Sequence, residues 1–192
     1  MSEKRVAFFV GRDFHLPILL PVWRALRQEV GVSCGILAPS FSLAAEQGVH
    51  QGLSPAMIAD LEEEGLPFWQ ELSGNREAPS TVMDAIVMCD SNYDWFEGWG
   101  PIINVGHGTI SKNLYFIDNT HGRHENFATA LCVPGPGYRQ LFDKAMLGNV
   151  VPTGFPKMDA LTKDYGCWKR ELWQNCGFSE SKTTLLFAPT HN

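Results

Sequence analysis

The residues best suited to chemistry lie together in "NVGHGTISK", residues 104–112. An apolar run (Ile102, Ile103, Val105) stops at His107, which stands between Gly106 and Gly108, and Thr109 and Lys112 follow within five residues. Glycines at the end of a buried strand let backbone approach a ligand closely, and they expose N–H groups suited to an anion. A histidine there is a base usable near neutral pH, and Lys112 can meet a phosphate charge. Spacing alone leaves a second reading open, in which the histidine is satisfied by backbone and the glycines serve only the turn.

Other candidates are weaker. Arg12, Asp13 and His15 follow the first apolar run "VAFFV" and can line the same crevice, although a simple turn and helix start explains them as well. Asn92, with Asp90 and Ser91, ends another apolar run, where it can hydrogen-bond a polyol or lie beside a helix cap. His121 and His124 are three apart but have no evident third ligand and an arginine between them, so a solvated loop is preferred to zinc. "GPG" at residues 135–137 lacks the spacing of a dinucleotide fingerprint. No metal and no cofactor are expected.

These residues need a frame, and the hydrophobic pattern supplies one. Strand-length apolar runs fall at Val6–Val10, Ser33–Leu37, Pro67–Glu71, Ala85–Cys89, Ile102–Val105, Ala128–Val133, Val150–Thr153 and Thr184–Ala188. Several are apolar throughout, as parallel strands covered on both faces are. Between them lie helical patterns at Leu16–Val30 (Leu19, Leu20, Trp23, Leu26 and Val30 on one face), Ser54–Glu64 and Tyr138–Leu147. Ser54 is a candidate N-cap, with Pro55 at the first helical position. The alternation predicts an α/β fold with a doubly wound, mostly parallel sheet over residues 1–155.

Residues 156–192 read differently. Gly154 and Pro156 are expected to shape an interdomain turn, and Asp159 to cap the next helix. Leu161, Tyr165, Trp168 and Leu172 have helical spacing, and one more buried-type strand ends the sequence. One helix and one strand cannot bury each other, so this segment reads as the opening of an incomplete second α/β domain. The chain is expected to be a fragment, or else to be completed by another polypeptide. Trp168 and Trp173 are expected to pack against the rest of that domain.

Composition excludes several classes. The 192 residues are 44% hydrophobic and 19% charged, with a net charge of −6 and no basic stripe, which argues against nucleic acid as a partner. No apolar run approaches the roughly 20 residues that span a bilayer, and the N-terminus does not have the form of a secretory signal. Five cysteines without a CxxC pair fit reduced thiols in a cytoplasmic protein.

Three segments, in order, resemble the CDP-glycerol glycerophosphotransferase family, the teichoic-acid polymerases and primases. His107, Gly108, Thr109 and Lys112 match its HGT-x-x-K segment. Gly154, Phe155, Pro156 and Asp159 match a G-[YF]-P-R-x-D segment, and Ala188, Pro189 and Thr190 match a strand ending A-P-T. The matches span about the C-terminal half of the chain. Ile110 stands where the family often has proline, Lys157 where it has arginine, and His191 where it has an aromatic residue.

The resemblance implies a GT-B arrangement of two Rossmann-like domains. The first handles an acceptor and the second binds the nucleotide of CDP-glycerol. On this chain it implies transfer of glycerol phosphate to an acceptor hydroxyl in cell-wall or capsule polymer synthesis, with His107 as general base. Gly106, Gly108, Thr109, Lys112, Arg12, His15 and Asn92 are the expected substrate-binding residues. The isolated chain, without the second domain, is expected to be inactive. A polyol-phosphate or lipid-linked acceptor would bring the cytoplasmic enzyme to the inner membrane face as a peripheral protein. Two other functions fit the same architecture: a nucleotide-sugar GT-B glycosyltransferase or 2-epimerase relative, and a non-catalytic binding subunit.

Overall fold

The computed structural model of the chain describes residues 3–39, 53–72, 82–89, 96, 98–106, 128–138, 150–162, 171 and 173–178. Seven strands form one sheet: β1 (Lys4–Phe9), β2 (Val32–Pro39), β3 (Phe68–Leu72), β4 (Ala85–Met88), β5 (Ile102–Asn104), β6 (Ala130–Val133) and β7 (Val150–Pro152). Their order is β3-β2-β1-β4-β5-β6-β7, and all six pairings are parallel. This is an α/β fold. The order reverses between β1 and β4: the chain builds outward from β1 to β3, then crosses back and builds the other way.

Period-two alternation of apolar side chains explains why the sheet is covered on both faces. Val6 and Phe8 of β1 and Val10 just after it, with Cys34, Ile36 and Ala38 of β2, pack on one face against Leu16, Ile18, Leu19 and Trp23. Ala7 and Phe9, with Leu37, Ile86, Met88 and Ile102, point the other way and pack with Phe96 and Trp99. Phe8, Phe9, Ile36 and Ile86 are 1% exposed or less. Each such side chain contributes roughly 1.5–3 kcal/mol relative to leaving it in water.

Among the described residues, two helices lie between the first three strands. α1 (Leu16–Leu26) is shorter than the predicted Leu16–Val30. It gives way to a turn at residues 27–31, and Val30, predicted to lie on its buried face, is fully exposed. α2 (Pro55–Glu63) starts where its sequence predicts, because the Ser54 hydroxyl accepts the Met57 N–H at 3.3 Å and Pro55 needs no donor partner. Arg24 of α1 grips both carboxylate oxygens of Glu64 at 2.9 and 3.1 Å, which ties the end of α2 to α1.

On the far side of the sheet, Gly100 (φ +145) fits the chain against the approach to β4. A Cβ there would fall on the Met83 carbonyl oxygen. The neighbouring groups are already engaged: Met83 N–H donates to the Trp99 carbonyl at 2.8 Å, and Ile86 N–H to that of Pro101 at 2.8 Å. At the foot of β1, Asp84 accepts from the Lys4 ammonium (2.7 Å) and the Arg5 N–H (2.9 Å).

The chain forms two compact units, Met1–Lys157 and Met158–Asn192, and all seven strands belong to the first. In the second, a helical turn ends in a Schellman motif. Phe178 N–H reaches the Trp173 carbonyl at 2.8 Å, Gly177 N–H reaches Gln174 at 3.2 Å, and Trp173 and Phe178 pack edge-on at 5.8 Å. The predicted strand Thr184–Ala188, nearly all of the predicted helix Tyr138–Leu147, and Trp168 lie outside the described residues. Among the described residues no helix is long and apolar enough to cross a membrane.

Candidate functional site

Parallel strands deliver their following loops to one edge of the sheet, and in open α/β sheets the crevice for ligands lies outside that carboxyl edge, where strand order reverses. Here the reversal lies between β1 and β4, with β5 beside β4. Among the described residues, those that leave this edge near the reversal are Val10–His15 after β1, Cys89 after β4 and, one strand away, Val105–Gly106 after β5.

The exit from β5 is held by a side chain that the sequence reading passed over. Asn104, the last residue of the strand, is 1% exposed, and its Oδ1 accepts the Gly106 N–H at 2.7 Å. Gly106 takes a left-handed conformation, φ +67. Asn104 therefore closes a two-residue turn of the kind asparagine side chains form with nearby backbone. Gly106 was expected to offer its N–H to an anion; the structure commits that N–H to Asn104 instead. The visible signal was an asparagine two residues ahead of a glycine in an otherwise apolar run. His107, Gly108, Thr109, Lys112 and Asn92 lie outside the described residues.

The β1–α1 loop is built around His15. Its side chain was expected to line the crevice, but the residue is 1% exposed and its Nδ1 accepts the Gly11 N–H at 3.2 Å. Accepting at Nδ1 leaves the ring proton on Nε2. The Phe14 ring packs edge-on against His15 at 4.6 Å, and the Arg12 guanidinium lies 5.7 Å from the Phe14 centroid. His15 is thus buried and braces the loop, while Arg12 is partly exposed. Gly11 is buried, and a Cβ there would press on the Phe9 ring at 3.3 Å and on His15 at 3.5 Å. Asp13 is half-buried. Its Oδ1 is sealed from solvent and receives no hydrogen bond.

The residues from the second matching segment sit elsewhere. Gly154 has a positive φ in the turn after β7, and Pro156 opens a 3-10 segment, Pro156–Thr162. Asp159 lies in the first turn of that segment, and residues 163–170, where the helix it was expected to cap would run, lie outside the described residues. Just before them, the Thr153 N–H donates to the Val133 carbonyl at 3.0 Å, and its hydroxyl hydrogen-bonds the Cys132 thiol. Burial pushes the Cys132 thiol pKa up, and the Thr153 bond partly opposes it; burial alone raises that of Cys34. No group of three histidine, cysteine or acidic side chains is arranged to hold a metal ion among the described residues.

No protein-family model matches the chain, and no curated protein matches it.

Proposed function

We propose that this chain is the acceptor-handling part of a transferase that moves glycerol phosphate from a CDP-glycerol donor to an acceptor hydroxyl, with His107 as general base. In this reading the sheet is Rossmann-like and forms one side of a GT-B cleft, and a second nucleotide-binding domain takes the cytidine end of the donor. The acceptor oxygen attacks the phosphorus that carries glycerol. The bridging P–O bond breaks, CMP leaves with that oxygen, and the acceptor proton passes to the His107 imidazole.

The observation that carries the reading is the exit from β5. The run "GHGT" begins at a left-handed Gly106 locked by Asn104, at the carboxyl edge and one strand from the order reversal. A general base needs such a fixed origin, because its contribution depends on reaching the hydroxyl within hydrogen-bond distance. The strand order, built outward in both directions from β1 and β4, supports the Rossmann-like reading. Arg12 at the same edge supports an anionic substrate.

The test is CMP release by the naturally expressed protein that carries this chain, given CDP-glycerol and a polyol-phosphate acceptor, with UDP-sugars as competing donors. His107→Ala is expected to lower turnover by roughly 10²–10⁴-fold while leaving thermal unfolding unchanged. Near-normal turnover by that variant removes the general-base assignment. Transfer from UDP-sugars alone moves the protein to the glycosyltransferases.

A further inference from the structure

We draw no further inference here: the strongest candidate, the turn at the end of β5 in which the buried Asn104 side chain accepts the Gly106 N–H at 2.7 Å, belongs to the site already described.

Discussion

Asn104→Ala is the substitution that most directly tests how the end of β5 is organised. The Asn104 side chain is 1% exposed, and its Oδ1 accepts the Gly106 N–H at 2.7 Å. Alanine leaves that N–H without its acceptor in a part-buried site, which costs about 1–3 kcal/mol. The glycine contributes separately. At φ +67 an L-residue is disfavoured by about 1–2 kcal/mol, although space is not the obstacle, since the nearest atom to an added Cβ would be the Cys132 carbonyl oxygen at 4.0 Å. Gly106→Ala should therefore be destabilising through backbone conformation alone, and Gly106→Asn less so, because asparagine tolerates the left-handed region. If the two residues form one turn, the double variant Asn104→Ala/Gly106→Ala should lose less than the sum of the single losses, since each removes the same conformation. Urea unfolding followed through the buried Trp23 and Trp99 gives the stabilities, and hydrogen exchange at the Gly106 amide gives the local opening. Strictly additive losses, or an unchanged Gly106 exchange rate in Asn104→Ala, would refute the reasoning that this side chain holds the turn.

Three further predictions follow from contacts elsewhere. Gly100→Ala puts a Cβ on the Met83 carbonyl oxygen, a backbone atom that cannot swing aside, and should destabilise the first unit by roughly 3 kcal/mol in the same urea assay. The Lys4 side chain, then the Arg5 N–H, hold the Asp84 carboxyl pKa below its ordinary value. Its contribution is thus present above the unfolded carboxylate pKa of about 4 and is lost as pH falls below that toward the lower folded value; the stability difference between wild type and Asp84→Asn should shrink in that acid window. With Cys167 replaced by serine, a thiolate-directed reagent should modify the exposed Cys176 quickly. The raised pKa values of Cys34 and Cys132, and the burial of Cys34 and Cys89, should keep those three slow until urea unfolds the chain.

Strands one to seven were legible because each apolar run is set by burial on two faces, a signal that survives in local composition. Their ends were not. The run continues through Val10, Cys89 and Val105, which are buried, but ladder pairing stops one residue earlier, and pairing depends on neighbours far away in sequence. The start of α2 could be read from Ser54-Pro55 because a cap is a local device; the end of α1 could not, since Val30 continues the period while the turn at Gly31 interrupts it. Gly100 carries no local mark at all, because what demands glycine there is a carbonyl on another segment.

The same division separates the two halves of the candidate site. Residue type singled out Arg12 and His15, but type cannot say which of two neighbours turns inward. The structure buries His15 and leaves Arg12 partly exposed. An imidazole whose Nδ1 accepts a backbone N–H from a buried glycine is committed to the loop, so it serves a ligand only through the residues it steadies. Asp13, which the residue pattern treated as part of a turn, carries the more demanding constraint, a sealed carboxylate oxygen without a hydrogen bond.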